Sequence, residues 1–166
     1  MTPAPVRVRV YCEHDWPAVG ALLRAVLTEG ETYTGDPAMP DAALRAYWLS
    51  DRHTVVAEAD DVFLGTAHMG PNRPFNGAHV GTASFLVTSS ARGRGVGRTL
   101  GEYAVDWHRT EGFRAIQFNA VVETNAAAVR LWRSLGFTIV GTVPGAFRRP
   151  TGEYVGLHVM HLDLTD

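Results

Sequence analysis

The stretch Ser84-Phe-Leu-Val-Thr-Ser-Ser-Ala-Arg-Gly-Arg-Gly-Val-Gly-Arg-Thr-Leu100 decides how this chain is read. An apolar, β-branched run enters a turn holding Gly93, Gly95 and Gly97. The turn enters a helical spacing at Val96, Leu100, Tyr103, Ala104 and Trp107. Glycine lets the main chain approach a ligand closely, and the first N–H groups of a helix have no partner within it. With the positive end of the helix dipole they form an anion site suited to pyrophosphate. Arg92, Arg94 and Arg98 add guanidinium forks that match phosphate oxygens. Standing alone, Arg-Gly-Arg-Gly also fits a flexible basic loop or an RNA-binding tract. A dinucleotide fingerprint fits less well. The glycines lack the G-x-G-x-x-G spacing, and neither Glu111 nor Glu123 falls where the ribose-binding acid belongs.

Outward from this turn, Val6–Val10 alternates strictly and predicts a half-buried strand. Asp15 as N-cap and Pro17 just inside open a helix with Val19, Leu22, Leu23, Val26 and Leu27 on one face. Gly30–Pro40 is a breaker-rich loop, and the short helix after it buries Leu44, Tyr47, Trp48 and Leu49. His53–Ala59 and Val62–Met69 read as strands about an Asp60-Asp61 turn, Pro71–Gly77 as a loop and Ala78–Thr88 as a long strand. Gly95–Glu111 predicts a helix, Ala115–Val121 a strand, Asn125–Leu135 a helix and Phe137–Val143 a strand. Pro144–Gly152 reads as irregular before a last strand, Tyr154–Leu164. The order β-α-α-β-β-β-α-β-α-β-β predicts a single α/β domain over 1–166 with a mixed sheet.

Composition narrows the function. A chain of 166 residues is long enough to bury one substantial core. A net charge of −2 argues against a nucleic-acid or membrane partner. All 15 basic residues are arginine, so Schiff-base chemistry and a lysine-bearing P-loop are excluded. Cys12 is the single cysteine, which leaves no internal disulfide and no Cys-x-x-Cys metal pair; no metal site is expected. Without a membrane-length apolar run or a signal-peptide core at the N-terminus, a cytoplasmic location is expected.

One β-α unit after the glycine turn comes Asn125-Ala-Ala-Ala-Val-Arg-Leu-Trp-Arg-Ser-Leu-Gly-Phe137. With Arg92, Gly95, Gly97, Asn125, Ala128, Leu131, Gly136 and Phe137 in register, the chain resembles the GNAT superfamily of acetyl-CoA-dependent N-acetyltransferases over nearly its whole length. The resemblance implies an α+β GNAT fold: a mixed, mostly antiparallel sheet of about seven strands and about four helices, splayed into a V between the fourth and fifth strands. It implies acetyl-CoA as cosubstrate, with main-chain groups of Phe85, Leu86 and Val87 pairing with pantetheine. The N–H of Leu86 or Val87 would be the oxyanion donor. Gly93, Arg94, Gly95, Val96, Gly97, Arg98 and Thr99 would surround the pyrophosphate, and Asn125, Ala128 and Trp132 would line the slot.

The family often carries a tyrosine where this chain has Trp132, and that tyrosine protonates the departing thiolate. Indole cannot do so. A CoA thiol with a pKa near the ~8.5 of cysteine still leaves unprotonated at neutral pH. On the acceptor side, the resemblance points to the loop holding Glu31 and Tyr33. Glu31 orients or deprotonates an amine, or is a solvated loop acid. Glu123 precedes a helix start, where dipole stabilisation accounts for it equally well. His68, His79, His158 and His161 fall on strands and read as structural.

Alternation places Gln117, Asn119 and Val121 on one face of their strand, with Asn119 toward the thioester. Phe118–Asn125 looks like the acetyltransferases that act on proline analogues such as azetidine-2-carboxylate, where such an asparagine binds the acceptor. Those enzymes prefer asparagine where this chain has Thr82, the other substrate-side candidate. The expected reaction is direct transfer to a small amino-acid-like amine, with no acetyl-enzyme on Cys12. Rival readings are a protein or peptide N-acetyltransferase and a non-catalytic acyl-CoA-binding module. Superfamily habit and the Pro144–Gly152 segment suggest a homodimer.

Overall fold

The computed structural model describes residues 4–50 and 52–165. Its strands and α-helices are β1 (Arg7–Val10), α1 (Trp16–Glu29), α2 (Asp41–Leu49), β2 (His53–Ala59), β3 (Val62–Pro71), β4 (Val80–Val87), α3 (Val96–Thr110), β5 (Ala115–Val122), α4 (Ala126–Ser134), β6 (Thr138–Arg148) and β7 (Tyr154–Asp163). They follow the order read from the sequence. One seven-stranded sheet runs β1-β2-β3-β4-β5-β7-β6. Every neighbouring pair is antiparallel except β4 with β5.

That parallel pair is short: only Val80↔Ala115 and Gly81↔Ile116 are in register before the strands part. The ring of His108, fully buried on α3, rests on Gly81 at the apex. A Cβ at Gly81 would lie 2.1 Å from His108 Cδ2, so only glycine fits there. A bulge between Phe118 and Val121 bends β5 further along.

The alternation of the strands divides the core between two faces. On one, Val19, Leu23 and Leu27 of α1 and Leu44 and Trp48 of α2 pack on Val56 and Leu86. On the other, Val96, Leu100 and Ala104 of α3 pack on Val55, Ala57, Ala67 and Met69. Trp132 of α4 and Val105 of α3 close over Ile116, Phe118 and Met160. Each large side chain so buried contributes roughly 1.5–3 kcal/mol. The helices are thereby fixed on either side of the splay.

Four expectations are corrected. Asp15 stands at the N-cap position of α1 but does not cap it. Its carboxylate instead accepts from the Cys12 N–H at 2.8 Å and from both terminal nitrogens of Arg9 at 2.8 Å. Arg9 also bonds Glu58, and this guanidinium holds the Asp15 carboxyl down at about 2. Tyr47 is 41% exposed, because α2 turns only Leu44 and Trp48 fully inward. Pro144–Arg148 is strand, not irregular chain: Phe147 pairs with Val155 and Arg148 with Tyr154. A bulge between Val143 and Phe147 absorbs Pro144, whose missing N–H is tolerated on the edge strand β6. Val121 packs against the Ile116 and Phe118 side, because the β5 bulge breaks the alternation.

No helix among the described residues is long and apolar enough to cross a membrane. Among the same residues, no three His, Cys, Asp or Glu side chains converge as a metal site.

Candidate active site

The splay opens a cavity of about 940 Å³ that runs from the glycine turn, along β4, to the loop after α1. A second hollow of about 600 Å³ lies at the far sheet edge, beside Arg45 and His53, and holds none of the motif residues.

At one end of the cavity, Gly93 (φ 76°) and Gly95 (φ 80°) take left-handed conformations with open space around them. The N–H groups of Arg92, Arg94 and Thr99 are committed to the carbonyls of Ser89, Ala91 and Gly95. Those of Gly93, Gly95, Val96, Gly97 and Arg98 have no backbone partner among the described residues and lie at the N-terminus of α3. This is a donor array of the kind that holds phosphate oxygens. Arg94 and Thr99 do not line the cavity, and the Thr99 hydroxyl turns back to Gly95 O at 3.2 Å. Arg92 stands 3.6 Å from Glu29, while Arg98 bonds Ser134 at 2.7 Å. Exposed pairs of this kind are weak and leave both guanidinium groups available to an anion.

Along β4 the antiparallel ladder decides which main-chain groups face the slot. Val80 O accepts from Asn72 and the Thr88 N–H donates to Leu64, so the even-numbered residues are committed toward β3. Leu86 shares their parity, pairs with Thr66 and buries its side chain under α1. It is therefore not placed as an oxyanion donor. Phe85 and Val87 have the opposite parity and face the splay. Both main-chain polar groups of Phe85 meet the Tyr33 hydroxyl: the N–H donates to it at 3.0 Å, and it donates to the carbonyl at 2.9 Å. Burial pushes the Tyr33 phenol up to about 12.

The opposite wall comes from α4. Asn125 Oδ1 accepts from the Ala128 N–H at 3.2 Å, which caps the helix and seats Ala128 against the slot. Trp132 is only 7% exposed, with ring centroids 4.6 Å from Phe85 and 4.9 Å from Phe118. It is a wall, continuous with the core.

At the acceptor end the cavity is bounded by Glu31, Tyr33, Thr82, Ser84, Asn119 and Arg149. Asn119 Oδ1 accepts from Gln117 at 2.9 Å and from Asn72 at 3.2 Å, and Asn119 Nδ2 donates to Asn72 Oδ1 at 2.7 Å. Glu31 accepts from Arg149 Nε at 2.9 Å, and Arg149 also reaches Glu153 at 2.9 Å. Glu123 is structural: its carboxylate takes the Gly156 N–H, and its own N–H donates to Gly156 O at 3.0 Å. His68 stacks on Trp48 at 4.2 Å and bonds the Trp48 carbonyl at 2.6 Å. Burial pushes it down to about 4. Neither it nor His79, His158 or His161 lines the cavity.

Sequence reasoning missed Asn72, Arg149 and the slot-facing parity of Phe85. Strand β6 brings in Arg149 only because it extends past its expected end, and Asn72 follows the lengthened β3. Nothing in the spacing marks either residue.

A mixed sheet splayed after one short parallel pair, with unpartnered helix-start N–H groups at the mouth of the splay, is the architecture of an acyl-CoA-dependent acyltransferase domain. The chain matches the Acetyltransferase (GNAT) family over residues 21–137 and belongs to that family. It is 53% identical to a GCN5-related N-acetyltransferase from Kribbella flavida, with a TM-score of 0.93 over 96% of this chain and 98% of that one. It is 26% identical to yncA of Salmonella typhimurium, solved with its cofactor acetyl-CoA, with a TM-score of 0.82 over 98% of this chain and 96% of that one. The L-methionine sulfoximine/L-methionine sulfone acetyltransferase of Pseudomonas aeruginosa is 33% identical over 132 residues, 75% of each chain. Two further curated relatives, each 36% identical, are longer, and this chain spans 46% and 13% of their lengths.

Proposed function

We propose that the protein transfers the acetyl group of acetyl-CoA to the amine of a small amino-acid-like acceptor, by direct attack in a ternary complex. The observation that carries this reading is the continuous cavity, which joins five unpartnered N–H groups, the open edge of β4 and the Tyr33–Asn119–Arg149 end. The pyrophosphate would rest on Gly93, Gly95, Val96, Gly97 and Arg98. The pantetheine would add to Phe85 and Val87 as a further strand, using main-chain groups that β5 leaves unpaired.

A neutral amine adds to the thioester carbon, forming the C–N bond and moving the C=O pair onto oxygen. The N–H of Phe85 or Val87 bonds that oxygen. Collapse returns the pair, breaks the C–S bond and releases the thiolate. The amine proton passes to water at the cavity mouth or to Glu31, and the thiolate takes one from water, giving amide and CoA thiol. Trp132 has no part in these proton transfers.

Arg149 favours an acceptor with a carboxylate, since its fork matches two oxygens and its present partners are the carboxylates of Glu31 and Glu153. The Pseudomonas aeruginosa relative is named for two such amino acids, and azetidine-2-carboxylate shares the group. CoA release should be measured with methionine sulfoximine, azetidine-2-carboxylate and other free amino acids, and with peptides. Turnover with peptides alone would favour the protein-acetylating rival; acetyl-CoA binding without turnover on any acceptor would favour the non-catalytic module.

We also propose a cytoplasmic homodimer meeting along β6. This edge strand exposes Val140 (68%) and Val143 (53%), and unpaired edges call for a cover. Light scattering should give twice the 18.1 kDa chain mass; a monomer at micromolar concentration overturns the idea.

A further inference from the structure

We propose that the Tyr33 hydroxyl is a second hydrogen-bond donor to the thioester oxygen, acting beside the Phe85 N–H. The proposal rests on the acetyl-CoA reading above. Tyr33 lies on the loop between α1 and α2, yet its hydroxyl bonds both main-chain polar groups of one residue in β4, the N–H and the C=O of Phe85. Phe85 presents those two groups to the splay because its neighbours in the ladder are turned toward β3.

A hydroxyl oxygen that accepts from a strand-edge N–H stands where a docking carbonyl oxygen must stand. Both seek the same in-line position, about 2.9 Å from the nitrogen. A thioester oxygen arriving on Phe85 therefore takes the place of the hydroxyl. The displaced O–H gives up its bond to the Phe85 carbonyl, and the oxygen that displaced it is the nearest new acceptor. Negative charge then develops on that oxygen in the tetrahedral intermediate, and donors aimed there are stabilising.

Two surroundings suit Tyr33 to this part. The phenol is protonated across the neutral range, and burial pushes its pKa further up, to about 12, so it donates a bond without losing its proton. The ring sits edge-on to Trp48, with centroids 6.5 Å apart, which holds it over the slot. Trp132 cannot substitute, being packed among Phe85, Phe118 and Phe137. No atom is exchanged with Tyr33: the electron pair moves onto the carbonyl oxygen and returns when the C–S bond breaks.

Tyr33→Phe removes the hydroxyl alone. Loss of an oxyanion donor typically costs roughly 10²–10³ in kcat, so a fall of at least about tenfold is expected. The acetyl-CoA Kd and the acceptor KM should stay within about threefold, because a neutral thioester oxygen is a weaker acceptor than the oxyanion. A kcat within tenfold of wild type overturns the proposal. So does a fall in kcat matched by an equal loss of acetyl-CoA affinity, which would make Tyr33 a builder of the slot. A second measurement replaces the thioester oxygen by sulfur, using the dithioacetyl analogue of acetyl-CoA. The rate penalty for that change should be smaller in Tyr33→Phe than in wild type, and equal penalties overturn the proposal. Failure of wild type to bind acetyl-CoA at all would instead remove the reading on which the proposal rests.

Discussion

Glu31 and Arg149, 118 residues apart in the chain, meet at 2.9 Å across the acceptor end of the cavity. The contact joins the loop after α1 to the β6–β7 hairpin, so both ends of the chain build one wall. An acceptor carboxylate would compete with Glu31 for the same guanidinium. Arg149→Gln is expected to raise the KM of carboxylate-bearing acceptors about tenfold, the scale of one lost charge-assisted bond. Acetyl-CoA affinity should hold. Equal losses for an amino acid and its amide would contradict the assignment.

The glycine turn gives a sharper test of the cofactor end. Gly95 has φ 80°, so any side chain there carries a conformational cost of roughly 1–2 kcal/mol. Gly95→Ala and Gly95→Glu share that cost, but only glutamate adds bulk and negative charge to the anion site. Acetyl-CoA binding should survive in a folded Gly95→Ala and be lost in Gly95→Glu. Isothermal titration of both would decide it.

Trp132 fills space between Phe85, Phe118 and Phe137 and is not placed as an acid. Trp132→Phe should lower the melting temperature while kcat stays within about a hundredfold, the low end of an acid's usual contribution. A larger fall in kcat with intact CoA affinity would reinstate it as an acid.

Asn119 lines the cavity; its Oδ1 accepts from Gln117 and Asn72 and its Nδ2 donates to Asn72, which leaves one Nδ2 hydrogen for a ligand. If Asn119 holds the acceptor, Asn119→Ala removes a neutral hydrogen bond worth ~0.5–1.5 kcal/mol. A several-fold drop in kcat/KM for the amine is expected, with acetyl-CoA Kd unchanged. The reverse pattern would assign Asn119 to the cofactor slot.

Burial pushes His68 down to about 4 and lowers His53 and His108 as well. The unfolded chain protonates these rings near ~6.5, and the fold resists it. Stability is therefore full above about 6.5 and is lost as pH falls through the window toward about 4. His68 alone accounts for a loss on the order of 2 kcal/mol. Thermal melts between about pH 7.5 and 5 should show a falling midpoint; a level or rising one contradicts this account.

Sequence alone determined the element order and the glycine turn, and by resemblance to the family it also linked Arg92–Arg98 with Asn125–Phe137. Element order and turn are local matters: hydrophobic period, breaker residues and helix ends are fixed by residues near one another in the chain. It also placed Asp60 and Asp61 at a two-residue hairpin, where both take positive φ. Only the tertiary structure decided which peptides of β4 face the splay, because ladder parity depends on the register with β3 and on nothing within β4 itself. It alone carried Arg149 to Glu31, through a strand whose Pro144 and Gly145 read locally as a stop. Pairing with β7 over a bulge overrode that local preference, and with it chose the residues at the acceptor end.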